Sequence, residues 1–308
     1  MSTHQLASKI KLDLITGFLG SGKTTFTKIY VKHLLKKEKV AIIVNDFGAI
    51  NVDMMMLKDL RSSSCEIEMV TATDEDCYKR RLKSKLISLK LQGFNHVIIE
   101  PSGIFDINMF LDILHEDTIE EWYTLNSVIG IIDPTIDYND ASMNHLFIDE
   151  ICNAGILIFS KVQLVDEDYL NQNIQIIKHL FNEYDLLLDD YPIILKDWLT
   201  LSDSDYHLID QAGYHNHSII KENTNKYQNL FFFNLSYTKY ELTLKLKKLM
   251  NNQKIHRIKG FMTLQEGYLV SINVTPFQET IEHIDDGQEV LIVIGEDLDE
   301  KYIKSVLS

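Results

Sequence analysis

The stretch LDLITGFLGSGKTT at residues 12–25 constrains the fold of this chain more than any other. It reads as a short apolar strand, a glycine-rich turn and the start of a helix, and it contains the pattern G-x-x-x-x-G-K-[ST] in that setting. Glycines let the turn curl until consecutive backbone N–H groups point inward, and the helix brings its positive dipole end to the same place. A chance glycine turn would not need all of these residues in this order. The stretch therefore predicts a site for the phosphates of a nucleoside triphosphate.

The side chains of this loop take predicted roles from their chemistry. The Lys23 ammonium is placed to reach the β- and γ-phosphates and is predicted to act in catalysis, and the Thr24 hydroxyl is predicted to ligate Mg²⁺. The phosphates are expected to be bound by the run that closes the loop and opens the helix, which comprises Gly20, Ser21, Gly22, Lys23, Thr24 and Thr25.

Further apolar runs alternate with helical stretches along the first two thirds of the chain. Continuous apolar runs are typical of parallel strands that are buried on both faces, and their alternation with helices indicates an α/β sheet. The predicted fold is a P-loop NTPase with a mostly parallel sheet flanked by helices. Its strands after the first are expected within the runs at residues 40–48, 66–70, 96–103, 127–134, 154–161 and 191–195.

Two acidic residues stand where strands of this sheet are predicted to end. Asp46 lies just past the carboxyl end of the second apolar run, and Glu100 lies in the segment that ends the run at residues 96–103. In open parallel sheets, ligands bind beyond the carboxyl ends of the strands, and carboxylate oxygens are good ligands for Mg²⁺. Asp46 and Glu100 are therefore predicted to hold Mg²⁺ together with Thr24, and to act in catalysis by orienting an attacking water.

The chain changes character after about residue 200. Residues 1–200 are predicted to form the nucleotide-binding domain, and the polar stretch 201–229 is predicted to be a linker with a short helix. His207, His215 and His217 in this stretch match no strong metal-ligand spacing, so a solvated loop is the favoured interpretation. Residues 230–308 read as one helix, several strands and a final helix, which predicts a small α+β domain with an antiparallel sheet.

Composition excludes several classes of protein. The formal net charge of -15 argues against a nonspecific nucleic-acid binder, which is normally basic. No apolar run reaches the length of about 18 residues that a membrane span needs, and no long apolar segment of a signal peptide is present at the start. Three scattered cysteines form no disulfide framework. The expected location is the cytoplasm, with neither a nucleic acid nor a membrane as partner.

Four motifs together resemble the CobW-like family of P-loop GTPases, which are relatives of the UreG and HypB metallochaperones. They are ITGFLGSGKTT at residues 15–25, IIVNDFGAINVD at 42–53, IIEPSG at 98–103, and a tail running from HRIKGF to VLIVIG at 256–295. The resemblance covers almost the whole chain, including a CobW-type domain at the carboxyl end. It implies GTP hydrolysis linked to metal handling, such as zinc homeostasis, cobalamin-related cobalt insertion or nitrile hydratase activation. The cofactors it implies are GTP or another nucleoside triphosphate and Mg²⁺, with Zn²⁺ or Co²⁺ as the metals handled.

The motif that reads guanine in this family departs from its usual form. Where the family has Asn-Lys-x-Asp, this chain has Ser160, Lys161, Val162 and Gln163, and the resemblance assigns Ser160, Lys161 and Gln163 to the base. A Gln amide offers one carbonyl acceptor where the carboxylate accepts two hydrogen bonds, which costs on the order of 1–3 kcal/mol. The preference for guanine over other bases is left open. The family's Asn-Glu-Phe-Gly is also altered, with Asp46 replacing the glutamate.

The Gly-Cys-x-Cys-Cys metal motif of the family is missing from this chain. Its place falls near EMVTATDEDC at residues 68–77, where Cys77 is the remaining thiol. One interpretation is a transition-metal site rebuilt from Cys77, Asp74 and Glu75, with Cys65 as a further candidate, since carboxylates suit harder cations than thiolates do. The favoured interpretation is that the acidic residues form the first turn of the next helix, where negative charge meets the helix dipole.

The leading hypothesis is a slow nucleoside triphosphate hydrolase that switches conformation and serves metal delivery or metalloprotein maturation. No arginine finger is evident, so slow turnover is expected. The alternative is a nucleotide-dependent module that docks on a client metalloprotein, has relaxed base specificity and has no metal site of its own. A small-molecule kinase is a third alternative, with no acceptor pocket or lid evident in the sequence. The expected partners are a nucleoside triphosphate and a client metalloprotein, with a homodimer left open.

Overall fold

A parallel sheet organises the first part of the computed structural model. The structure describes residues 9–18, 20–45, 52–70, 75–101, 107–136, 138, 141–217, 227–276, 278–284 and 289–307. Contacts divide the chain into two compact units, one of residues 1–46 and 57–217 and one of residues 47–56 and 218–308. The glycine-rich stretch at residues 12–25 and the base-reading residues 160–163 belong to the first unit, whereas the motif at residues 42–53 is divided between the two units.

The first unit contains a seven-stranded sheet in the order β3-β2-β4-β1-β5-β6-β7. Every strand pair that the structure describes in this sheet is parallel. The side chains of the central strands are buried on both faces, which explains the continuous apolar runs in the sequence. The strands are β1 Ile10–Gly17, β2 Val40–Asn45, β3 Cys65–Val70, β4 His96–Glu100, β5 Tyr123–Ile132, β6 Ile156–Phe159 and β7 Ile193–Ile194. The fold class predicted from the sequence is confirmed.

Helices connect these strands. They are α1 Lys23–Leu34, α2 Val52–Leu57, α3 Glu75–Leu91, α4 Ile107–Leu114, α5 Asp117–Trp122, α6 Ala141–Ile151, α7 Glu167–Glu183 and α8 Asp203–Asp210. Short 3₁₀ turns cover Lys58–Leu60, Val162–Leu164, Leu188–Asp190 and Trp198–Thr200. Within the described part of the chain, no helix has both the length and the apolar character that a bilayer span requires.

Residues 201–217 of the predicted linker contain the short helix expected there, and they group with the first unit. Ser202 caps α8 through a reciprocal capping box with Asp205, which gives the helix a defined start. The helix packs on the sheet, where the Ser127 hydroxyl donates to the Ile209 carbonyl at 2.6 Å. After α8, Gly213 bridges to Ser127 in β5. These residues group with the first unit because they supply a buried apolar side chain, Ile209, and backbone hydrogen bonds near the amino end of β5.

A buried polar cluster joins β1, β4 and α1. The His96 Nε2 atom lies 2.7 Å from the Asp13 carboxylate, and its Nδ1 atom lies 2.6 Å from the Glu38 carboxylate. The Tyr30 hydroxyl donates to Asp13 at 2.8 Å, and the Asn126 amide donates to its other oxygen at the same distance. Burial alone lowers the pKa of His96, but the hydrogen bonds to Asp13 and Glu38 outweigh it and raise this pKa to about 9.

The second unit is built on a five-stranded antiparallel sheet in the order β11-β10-β9-β12-β8. Thr238 caps α9 through a capping box with Glu241, and the buried leucines of this helix join the core of the unit. The antiparallel sheet predicted for the carboxyl end of the chain is present. The elements are β8 Tyr227–Phe232, α9 Lys239–Met250, β9 Ile255–Thr263, β10 Leu269–Thr275, β11 Gln278–His283, β12 Val290–Glu296 and α10 Glu300–Leu307.

Candidate nucleotide site

The glycine-rich loop joins β1 to α1, as its sequence predicts. Gly17, Gly20 and Gly22 have positive φ angles of 138°, 78° and 100°, which residues with side chains rarely adopt. Gly17 also approaches β5 closely, since a Cβ atom at this position would lie 2.4 Å from the Ile131 carbonyl oxygen. The loop therefore needs glycine both for its backbone angles and for its closeness to the sheet.

A buried hydroxyl group lies inside this loop. The Ser21 side chain is 1% exposed, and its Oγ atom has no hydrogen-bond partner among the described residues. Leaving a buried hydroxyl without a partner costs roughly 1–3 kcal/mol. A phosphate oxygen at the start of α1 would supply that partner, and the helix dipole favours negative charge at the same position. Ser21 therefore fits the phosphate-binding role predicted for it.

Lys23 folds over the loop rather than pointing to solvent. Its Nζ atom donates hydrogen bonds to the Gly17 carbonyl at 2.6 Å and to the Phe18 carbonyl at 3.1 Å. The side chain is buried with its ammonium group against the mouth of the loop. This conformation holds a positive charge where the phosphates of a bound nucleotide are expected.

Glu100 lies at the carboxyl end of β4 and faces the first turns of α1. Its carboxylate accepts a hydrogen bond from the Thr24 hydroxyl at 2.5 Å and another from the Thr27 hydroxyl at 2.7 Å. The residue is 2% exposed. Hydroxyl and carboxylate oxygens are the ligands that Mg²⁺ prefers, so Thr24 and Glu100 form a donor set that fits this ion.

Lys161 links the loop after β6 to the phosphate loop. It has a left-handed backbone with φ 52°, and its ammonium group donates to the Gly20 carbonyl at 3.3 Å. The same group forms an ion pair with Asp133, which is 3% exposed at the end of β5. Asp133 is itself fixed by the Thr135 backbone N–H at 2.9 Å. A buried carboxylate thus orients the lysine that the family resemblance assigns to the base.

The other predicted nucleotide-binding residues have different surroundings. The Ser160 hydroxyl donates to the Ile132 carbonyl at 3.2 Å and is buried beside the phosphate loop. Gln163 lies in the 3₁₀ turn Val162–Leu164 and is exposed. Thr25 is on the exposed side of the first turn of α1.

Several predicted metal ligands lie outside the described residues. Asp46 and Asp74 are among them, and Glu75 begins α3 with a side chain that is not described. Cys77 is half-buried in α3. Among the described residues, no three His, Cys, Asp or Glu side chains come together as a group that would hold a metal ion. The transition-metal site therefore stays a prediction.

Three residues near this site were not predicted from the sequence. Asp133 follows a recognised strand as part of the motif Asp-Pro, and its place after the strand was the available signal. Thr27 is one helical turn beyond Lys23, so both residues lie on the same face of α1. Trp198 follows the last strand of the sheet, and nothing in its local sequence indicates that it reaches the loop.

These features define the class of protein. A glycine loop with a buried lysine lies between a parallel strand and a helix, and a carboxylate from the neighbouring strand contacts the helix start. This is the architecture of P-loop nucleotide-binding proteins. The family follows from a model described as "CobW/HypB/UreG, nucleotide-binding domain", which matches residues 11–187. The chain belongs to this family.

Curated relatives carry names that concern zinc. The chain is 32% identical over 154 residues to the zinc chaperone YeiR of Escherichia coli, a match that covers 49% of this chain and 46% of that protein. It is 21% identical to the zinc chaperone CobW of Pseudomonas aeruginosa, over 97% of this chain and 91% of that protein. It is also similar to the zinc-regulated GTPase metalloprotein activator 1 of Dictyostelium discoideum, at 22% identity over 62% of this chain and 48% of that protein. Apart from the Pseudomonas protein, the chain spans about half the length of the curated relatives it matches.

Solved structures show more distant similarities. The Zn(II)-bound YjiA GTPase from E. coli is 16% identical with a TM-score of 0.43, over 97% of this chain and 98% of that one. HypB from Helicobacter pylori in complex with nickel is 17% identical with a TM-score of 0.45, over 68% of this chain and 92% of that one. No residue role follows from similarities this low.

Proposed function

We propose that this chain binds a nucleoside triphosphate, with GTP the leading candidate, and hydrolyses it slowly to drive a conformational switch in metal delivery or metalloprotein maturation. The observation that carries the proposal is the loop itself. A buried Ser21 hydroxyl that has no partner among the described residues, the Lys23 ammonium and the Glu100 carboxylate converge at the amino end of α1. Membership of the CobW/HypB/UreG family supports the same class of function.

The chemistry proposed for the site consists of positioning and charge stabilisation, because phosphoryl transfer asks for little else from the protein. The loop amides and Ser21 bind phosphate oxygens, and Lys23 exchanges its carbonyl partners for the β- and γ-phosphates. Thr24 and Glu100 would hold Mg²⁺ together with Asp46, and the ion would neutralise charge that develops on the phosphates. Glu100 would also accept hydrogen bonds from a water in line with the terminal phosphate.

Phosphate release tests the site directly. Replacing Lys23 by Ala should lower nucleotide affinity and hydrolysis at least about tenfold, because its ammonium is held directly against the loop by the Gly17 and Phe18 carbonyls. Lys37→Ala is the matched control, since Lys37 is an exposed lysine beyond the other end of α1. Equal rates for Lys23→Ala and the wild type would rule out the proposed site.

Metal delivery is the finer part of the proposal and has its own test. The relatives named zinc chaperones support it, while the missing cysteine motif favours the alternative, a nucleotide-dependent module that docks on a client metalloprotein. Titration with Zn²⁺, Co²⁺ and Ni²⁺ by calorimetry, with and without nucleotide, separates the two. A tight site that is lost on replacing Cys77 by Ser supports metal transport by the chain, and no tight site in either state supports client docking.

Base preference is tested by binding GTP, ATP, ITP and XTP in the presence of Mg²⁺. If Gln163 reads the base in place of the family's aspartate, GTP should keep only a modest advantage over the other nucleotides. Gln163→Asp should restore a larger preference for GTP. A wild-type chain that already prefers GTP by several hundredfold would show that the base is read elsewhere.

A further inference from the structure

Trp198 lies near the end of the first unit in sequence, but its side chain contacts the phosphate loop, which lies near the start of that unit. It is the first residue of the 3₁₀ turn Trp198–Thr200, which follows β7. Asp197 caps this turn by accepting a hydrogen bond from the Leu199 backbone N–H at 2.9 Å. The indole Nε1–H donates to the Phe159 carbonyl at the end of β6 at 3.0 Å. Both ends of the residue are therefore fixed, and its ring has a defined direction.

The far edge of the indole lies against Gly22. A Cβ atom placed on Gly22 would be 3.1 Å from the Trp198 Cη2 atom and 3.5 Å from its Cζ3 atom. The Ser160 Cβ atom is 3.7 Å from the same point. Gly22 precedes α1 with φ 100°, so the ring touches the loop at its last residue before the phosphate-binding helix. A single side chain thus contacts the phosphate loop and approaches the loop that bears the base-binding motif.

Phe26 adds a second contact on the same helix. Its ring meets the indole edge-on, with the ring centroids 5.3 Å apart and an angle of 70° between the planes. Edge-to-face pairs of this kind attract each other beyond the effect of burying the two rings. Phe26 is fully buried, whereas Trp198 keeps part of its surface in solvent. The Trp198 side chain therefore packs between the start of α1 and the loops after β6 and β7, and it is not part of the fully buried core.

A second bridge lies beside the first. We call the loop after β6, which bears Lys161, and the loop after β7, which bears Trp198, the base-side loops. Lys161 contacts the Gly20 carbonyl and Trp198 contacts Gly22, so the base-side loops touch the phosphate loop at two positions two residues apart. The lysine contact is a charged hydrogen bond, whereas the indole contact is apolar and its ring is fixed by the hydrogen bond to Phe159. A rigid contact preorganises a binding loop and reduces the entropy lost when the ligand binds.

We propose that Trp198 is a positioning residue for the nucleotide, which locks the base-side loops to the phosphate loop through Gly22. The proposal rests on the nucleotide site described above. It predicts that nucleotide affinity depends on an indole that makes no contact with the phosphates, and that the environment of this indole changes when the loop is filled. If Trp198 served only in packing, changing it would alter the stability of the protein and leave its affinity for the nucleotide unchanged.

Tryptophan fluorescence provides the first test, because the chain has two tryptophans. Trp122 ends α5 and precedes β5, at the amino edge of the sheet, whereas the phosphate loop lies at the carboxyl edge. In a Trp122→Phe variant all indole emission comes from Trp198. Saturation with GTP and Mg²⁺, and separately with GDP, should shift or quench this emission. Emission that stays constant while calorimetry shows binding would overturn the proposal.

Binding and kinetics provide the second test. Trp198→Ala should weaken nucleotide binding on the order of tenfold and raise KM more than it lowers kcat, because the groups around the phosphates remain in place. Trp198→Phe keeps a ring near Gly22 but loses the bond to Phe159, so it should recover most of the affinity. Leu199→Ala changes the neighbouring residue, which is 86% exposed, and should behave as the wild type.

A stability control separates positioning from packing. Phe181→Leu removes volume from the fully buried core at α7 and should lower the melting temperature without altering nucleotide affinity. If Trp198→Ala binds nucleotide as tightly as the wild type, the positioning role is wrong. If Trp198→Ala does not fold, Trp198→Phe and the Trp122→Phe titration decide. If the wild type itself binds no nucleotide, the proposed function fails, and that result is distinct from a failure of this inference.

Discussion

At the scale of single residues, the chemistry proposed for the candidate site rests on Glu100 and Lys23. Glu100 is held by two hydroxyls of α1, so its carboxylate has a fixed position at the positive end of that helix. Lys23 satisfies its donors with loop carbonyls, which are partners it can exchange for phosphate oxygens. Lys23 was predicted from the glycine-rich motif and Glu100 from its place at the end of a strand, but the Thr24–Glu100–Thr27 arrangement appears only when β4 and α1 come together.

Replacing Glu100 by Gln should lower hydrolysis by about a hundredfold and weaken the dependence of nucleotide binding on Mg²⁺, because an amide keeps the shape but loses the negative charge. Single-turnover phosphate release and calorimetry with and without Mg²⁺ measure the two effects. Glu68→Gln is the matched control, since it removes a surface ion pair with Lys85 between β3 and α3. Unchanged hydrolysis in Glu100→Gln would show that this carboxylate has no catalytic part.

The turn between β1 and α1 shows how an element depends on its glycines. Gly17 has a positive φ and also faces the Ile131 carbonyl, so a side chain there meets both backbone strain and a collision. Gly93 has φ 78°, but a Cβ atom there would meet no described atom within 4 Å. The two positions separate the cost of the backbone angle from the cost of the contact.

Gly17→Ala should destabilise the first unit by about 2–4 kcal/mol, which combines left-handed strain with displacement of β5 or the loop. Gly93→Ala should cost only about 1 kcal/mol, because strain acts there alone. Urea unfolding of both variants, followed by circular dichroism, measures the difference. Equal losses in the two variants would contradict the close approach of Gly17 to β5.

At the scale of the whole molecule, the first unit extends to residue 217. Ile209 is fully buried, Tyr206 stacks on His33 with ring centroids 3.7 Å apart, and the His215 backbone N–H donates to the Asn153 carbonyl at 3.0 Å. These contacts attach residues 201–217 to the first unit, whereas the sequence alone predicted that this unit ends at residue 200 and is followed by a linker.

A chain that ends at residue 217 should therefore fold and bind nucleotide, whereas one that ends at residue 200 should be markedly less stable. The shorter chain loses a fully buried isoleucine and several hydrogen bonds to the sheet, a loss of several kcal/mol. Thermal unfolding and nucleotide binding of the two chains provide the comparison. Equal melting temperatures would support residues 201–217 as a true linker.

The stability of the first unit should also depend on pH through His96. The folded-state pKa of about 9 lies above the ordinary value of 6.5, so the protonated imidazolium stabilises the fold. This contribution is complete below pH 6.5 and is lost as pH rises through about 9, and it amounts to roughly 2–4 kcal/mol.

Urea unfolding at pH 6, 7.5 and 9.5 or so would reveal this dependence. His96→Gln should be less stable than the wild type at neutral pH and should show a smaller loss between neutral and alkaline pH. Glu38→Gln removes one of the two carboxylate partners of His96 and should give an intermediate dependence. A wild-type chain that is as stable at about pH 9.5 as at pH 6 would contradict the prediction that protonated His96 stabilises the fold.

The sequence by itself determined the parallel sheet, the antiparallel second sheet and the phosphate loop, because apolar runs and glycine spacing are local and specify their own structure. It placed Lys23, Thr24 and Glu100 correctly at strand ends or helix starts. Only the tertiary structure brought Asp133 to Lys161, Trp198 to Gly22 and α8 to β5. These contacts join residues that are far apart in the chain, and the local pattern around each one is compatible with an ordinary strand end or surface turn. Their partners are set by the order of the strands in the sheet, which hydrophobic periodicity does not reveal.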